Sequence, residues 1–161
     1  MKTDAQQLNV SAISVANTFL ALAGHENKPI TNMQLQKLVF LAQGYALALL
    51  KRPIFRDDIR AWQWGPVIPP LYKKLQKYGR DQVTETLDVK PGDIENLLEN
   101  KKAMGIIRGV WNGYKDYTGG QLSSLTHEPN TPWKTTWDKK MFSVIPTDLI
   151  QEYYTKEIQS F

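Results

Sequence analysis

Between residues 35 and 50, Leu35, Leu38, Ala42, Tyr45 and Leu49 recur at spacings of three and four, and Val39, Phe40 and Leu41 widen that stripe around most of the circumference. A helix with so little polar surface cannot lie on the outside of a fold. It must be central, with other elements packed around it. Its start is written in Thr31 and Gln34: the threonine hydroxyl accepts from a first-turn amide while the glutamine three residues on reaches back. Lys51-Arg52-Pro53 ends it, because proline has no amide and pushes its predecessor out of the helical region. The polar side chains Gln36, Lys37 and Gln43 sit on this helix and need a reason to be there.

Around that centre the remaining patterns predict a mainly α fold, one compact domain over residues 1–161 with its core at about 10–155. Ile13, Ala16, Leu20 and Ala23 mark a helix over 11–23 that Gly24 should stop. Residues 58–64 alternate as a short strand, with Ile59, Ala61 and Gln63 on one side and Arg60, Trp62 and Trp64 on the other, before a Gly65-Pro66 turn. Pro69-Pro70 opens a helix that turns Leu71, Leu75 and Tyr78 inward and Lys73, Lys74 and Lys77 outward until Gly79. Residues 81–90 read as a loop or a poor strand, and 91–102 as a helix. Gly105, Gly109 and Gly113 then fall on one helical face, implying close packing against another helix or a helix broken into pieces. Gly119-Gly120 separates off a short helical turn over 121–127. Thr131-Pro132 starts a segment that puts Trp133 and Trp137 on one face, and a last helix covers 148–158.

Much chemistry is excluded early. There are no cysteines, which removes disulfides, thiolate nucleophiles and sulfur-ligated metals, and two histidines are too few for an imidazole metal site; no cofactor or metal is expected. Neither a P-loop nor a GxGxxG pattern occurs. Ser123 and His127 lie four apart and could touch on a helix, but GxSxG and an orienting carboxylate are missing, so local hydrogen bonding explains the pair better than catalysis. The neighbouring carboxylates Asp57/Asp58, Glu95/Glu99 and Asp148/Glu152 read as solvated surface. No apolar run approaches the ~18–20 residues of a membrane span, and Met1-Lys2-Thr3-Asp4 does not begin a secretory leader, so a non-enzymatic, cytoplasmic protein is expected.

What remains is surface. Residues 31–80 hold nine basic and two acidic side chains, and residues 81–100 one and six, a division that can steer a charged partner. The basic 51–80 stretch, with Lys73, Lys74 and Lys77 beside tryptophans, would also suit nucleic acid, although an outward helix commonly carries such lysines. Of the five tryptophans, Trp62 and Trp64 share a side beside Arg60 and a rigid Gly65-Pro66-Val67 segment. Aromatics with arginine on a stiff support are typical of protein-binding hot spots.

Three runs resemble one family in order and spacing: Leu35 to Tyr45; Ala61 to Pro69 leading to Leu71-Tyr72; and Leu122 to His127 with Pro132-Trp133. Together they look like the Panacea domain, also called the SocA-like or GepA-like family. The resemblance implies a mainly helical bacterial or phage (prophage) domain that acts as the antitoxin of a toxin–antitoxin pair. Members neutralise unrelated toxins, generally by direct contact, and one branch delivers its toxin to a cellular protease. Many carry a further DNA-binding module, for which these residues leave no room. The family-type positions are Gln36, Lys37, Gln43, Tyr45, Trp62, Gly65, Pro66, Val67, Tyr72, Thr126, His127 and Trp133. Of the residues on or beside these motifs, Lys37, Trp62, Trp64, Tyr72 and Lys73 are the expected contacts with a cognate protein toxin, and the proteolytic adaptor and the nucleic-acid module are the alternatives.

Overall fold

The computed structural model describes residues 8–160; the Met1-Lys2-Thr3-Asp4 start lies outside the described residues. Eight α-helices and one small sheet are present among them. Helix α2 (Asn32–Leu50) runs through the middle, with α1 (Ala12–His25), α5 (Lys101–Tyr114), α6 (Gly119–Thr126) and α8 (Thr147–Gln159) packed around it. Both halves of the Thr31–Gln34 capping box form, and Lys51 closes α2 in the left-handed conformation ahead of Pro53. The polar residues of α2 have internal work. Gln43 is buried and donates to the Phe55 carbonyl at 2.7 Å while accepting from the Ile54 amide at 2.8 Å, which satisfies the loop that follows its own helix. Gln36 donates to Asn32 Oδ1, and the Asn32 amide holds the carbonyls of Leu75 and Gly79. Leu49, expected on the buried stripe, is 54% exposed: it borders a recess shared with Gly105 and Gly109 of the neighbouring helix, which have no side chains to cover it.

Helix α1 continues through Gly24 to His25, two residues past the expected stop, since Gly24 keeps a helical conformation and Asn27 takes the positive φ. Its N-terminus is met by two carboxylates: Asp57 accepts from the Ala12 amide at 3.0 Å, and Asp93 from the Ser11 amide and the Ser14 hydroxyl. Asp57 is therefore not merely solvated surface. Exposed backbone amides and the helix dipole favour negative charge at this end.

The strand expected over 58–64 is a hairpin. Strand β1 (Arg60–Trp62) pairs antiparallel with β2 (Gly65–Val67), with Arg60 opposite Val67, Ala61 opposite Pro66 and Trp62 opposite Gly65. Gly65-Pro66 thus lies in a strand, and Gln63-Trp64 makes the turn. Along the other side of β1 run residues 142–145, through the Ala61 amide to the Ser143 carbonyl and the Phe142 and Ile145 amides to Ala61 and Ile59. Helix α3 (Pro69–Leu75) and a 3₁₀ turn (Gln76–Tyr78) follow, stopped by Gly79 at φ 54°.

Residues 91–102 do not form one helix. Helix α4 (Asp93–Glu99) stops where Asn100 turns extended and caps α5 by accepting from the Ala103 amide at 3.0 Å. Helix α5 then runs unbroken through its three glycines, and a Cβ at Gly105, Gly109 or Gly113 would meet nothing within 4 Å. Close packing does not explain them; Gly105 and Gly109 instead border an apolar recess of about 260 Å³ with Tyr45, Leu49 and Tyr114. The Gly119-Gly120 pair opens α6 under a Thr118–Gln121 capping box rather than separating it off, and α7 (Pro132–Lys139) starts at Thr131. No helix among the described residues is long and apolar enough to cross a membrane.

Candidate functional site

The hairpin lies over α2 and α6, and three of its carbonyls are each held by a side chain from a different helix. Lys37 on α2 donates from Nζ to the Pro66 carbonyl at 2.9 Å. Ser123 on α6 donates to the Trp64 carbonyl at 2.9 Å, and the Trp133 indole on α7 to the Trp62 carbonyl at 2.6 Å. Alternate carbonyls of a short hairpin are thereby fixed from below, which pre-organises whatever the hairpin presents above. Gly65 makes the close approach feasible. Its φ is 117°, and a Cβ there would stand 3.0 Å from Lys37 Nζ, with Thr126 Oγ1 and His127 Cβ also within reach.

Lys37 is buried, at 3% exposure, so it is not a surface contact of the kind expected for it: its stem follows the α2 core and its ammonium ends under β2. Burial without a carboxylate pulls its pKa down to about 7. Thr126 turns its hydroxyl back to the carbonyls of Leu122 and Ser123, and His127 Nδ1 donates to the Ser123 carbonyl. With Nδ1 carrying a proton and the Ser123 hydroxyl given to Trp64, the pair is not arranged as nucleophile and base. Among the described residues no three His, Asp or Glu side chains group as a metal site.

Above the clamp the aromatic rings divide. Trp64, at the hairpin turn, is 67% exposed. Trp62 is half-buried with its ring edge on Tyr72, at 5.0 Å between centroids, and the exposed Lys73 follows Tyr72 on α3. Trp133 is buried, meets the edge of His127 and stacks on Trp137 at 5.4 Å, and Trp137 in turn meets Phe142 at 5.2 Å. Thus Trp62 and Tyr72 pack together, Trp64 is exposed at the hairpin turn and Lys73 is exposed on α3, while Gln36, Gln43, Gly65, Pro66, Val67, Thr126 and Trp133 are buried, and Tyr45 lies elsewhere against Tyr114 and Tyr154. Sequence reasoning missed the hairpin-holding role of Ser123 and the presence of Phe142. The recurrence of Ser123 and Trp133 in the same motif set as Gly65-Pro66 is the signal that could have linked them.

The family model for the SocA-like antitoxin Panacea domain matches residues 35–134. That span includes most of α2, the hairpin and the start of α7. The chain is also 40% identical over 131 residues to antitoxin SocA of Caulobacter vibrioides, an alignment covering 78% of this chain and 69% of that protein. No solved structure matches.

Proposed function

From the chain's membership in the SocA-like Panacea family of antitoxins, we propose that it neutralises a cognate protein toxin by direct binding, through the surface that Trp62, Trp64, Tyr72 and Lys73 form. The observation that supports this reading most is Trp64. A tryptophan exposed at 67%, on a turn whose own carbonyl is tied down by Ser123, gains nothing for the fold and offers a large apolar anchor already held in place. Lys73 adds a cation at the edge of that anchor, and Trp62 and Tyr72 supply flanking ring faces. No turnover is involved. Neutralisation rests on covering a toxin surface in the cytoplasm.

The test is co-expression with the product of the adjacent reading frame. That product should arrest growth alone and be tolerated with this chain, and Trp64→Ser should lose rescue while circular dichroism and melting temperature stay as in the wild type. Retained rescue removes Trp64 from the interface. A toxin half-life that shortens in the presence of the chain would mark delivery to a protease instead of simple blockade.

A further inference from the structure

The loop between α7 and α8 contains a conformation that the fold does not explain. Phe142 has φ 65°, where Asn and Gly are at home and a bulky aromatic is an outlier. Its backbone is nevertheless pinned on both sides: its amide donates to the Ala61 carbonyl at 2.9 Å, and its carbonyl accepts from Arg60 Nη1 at 3.2 Å. Ser143 locks the turn further by sending both its amide and its hydroxyl to the Lys140 carbonyl. This strain is not repaid by burial, because Phe142 is 52% exposed and Met141 57%.

Basic side chains neighbour the tip itself, with Asp57 and Asp58 farther along the segment beside Val144 and Ile145. Lys139 and Lys140 are exposed and make no ion pair with the described residues, and Arg60 spends its guanidinium on a carbonyl rather than a carboxylate. The nearby Asp138 is taken by Lys134 at 3.0 Å. The tip is also joined to the hairpin that carries Trp64. Residues 142–145 hydrogen-bond to one side of β1 as β2 does to the other, and the Phe142 ring leads through Trp137 to Trp133, whose indole holds Trp62.

We infer that Met141 and Phe142 form a second anchor of the same interface, and that they take an apolar hollow rimmed by carboxylates on the toxin. This rests on the toxin-binding reading above. Unpaired lysines around an apolar tip complement an acidic rim. A backbone pinned this firmly favours a partner of fixed shape, whereas a bilayer surface needs no such preorganisation.

Two variants of the full chain test it, titrated calorimetrically against the purified product of the adjacent reading frame. Phe142→Gly keeps the φ that glycine adopts freely and deletes only the ring; it should hold its melting temperature within a few degrees and weaken binding at least tenfold. Lys139→Glu with Lys140→Glu, both at exposed positions, should weaken binding by a similar factor and flatten its dependence on salt. Wild-type affinity in both variants overturns the inference while leaving the Trp64 surface standing. Association of the wild-type chain with phosphatidylserine vesicles that Phe142→Gly abolishes, with toxin affinity intact, would assign the tip to a membrane and overturn it too. A wild-type chain that neither binds nor rescues overturns the underlying reading and this inference with it.

Discussion

Lys37 places an ammonium in the interior against one carbonyl, and its proton equilibrium follows from that. Its pKa is about 7 in the folded chain and near 10.5 when unfolded. Between those values the unfolded chain binds more protons, so stability should rise with pH from 7 toward 10, at a slope of up to about 1.4 kcal/mol per pH unit. Below pH 7 both states are protonated and that contribution is absent. Above pH 10 the sign reverses, because burial raises the hydroxyl pKa values of Tyr114 and Tyr154 and pushes Tyr153 up to about 12, and the unfolded chain then loses protons that the folded chain keeps. Urea unfolding across pH 6–11 should show a maximum near pH 10 in the wild type. In Lys37→Met the rise from pH 7 should vanish; a rise that persists would place the titrating group elsewhere.

Helix α2 was legible from its sequence because nearly every turn carries the same instruction: a capping box, apolar residues all round, and a proline beyond the end. Glycine was read less well. Gly24 and Gly105 suggested a boundary or a close contact, yet both sit inside helices, since a glycine reports what the backbone can do and not what its neighbours require. Gly44 is the reverse. Nothing in its sequence neighbourhood marks it as a contact site, but a Cβ there would come within 2.6 Å of the Tyr154 ring, so the α2–α8 crossing depends on its absence. Two substitutions should therefore move stability in opposite directions by thermal melting. Gly109→Ala meets open space and should stabilise by about 1 kcal/mol, the difference in helix propensity. Gly44→Ala should destabilise by roughly 1–3 kcal/mol through overpacking. Equal effects at both positions would contradict this reading of α5 and α8.

At the scale of the whole molecule, the site assembles from elements far apart in the chain, and this is why only part of it could be read. The exposed ring of Trp64 and the half-buried ring of Tyr72 are local features of the 61–72 motif. The hold on their hairpin comes from residues 37, 123 and 133, and no periodicity pairs a helix side chain with a particular carbonyl. Lys37 looked like a surface contact for the same reason: its neighbours in sequence are apolar, but only the fold shows that Pro66 lies over it. If the three donors act together, Ser123→Ala should cost about 1 kcal/mol of global stability and raise amide hydrogen exchange selectively over residues 60–67. Exchange unchanged there would mean that the hairpin is stiff without its clamp.

The most direct measurement is hydroxyl-radical footprinting of the full chain, free and mixed with the purified product of the adjacent reading frame. Trp64 should oxidise readily in the free chain and become strongly protected in the mixture, while Leu98, 55% exposed on α4, which packs on α1 and α5 and not on the hairpin, stays unchanged. A complex that forms with Trp64 oxidised as before would contradict the claim that this hairpin is where the toxin is held.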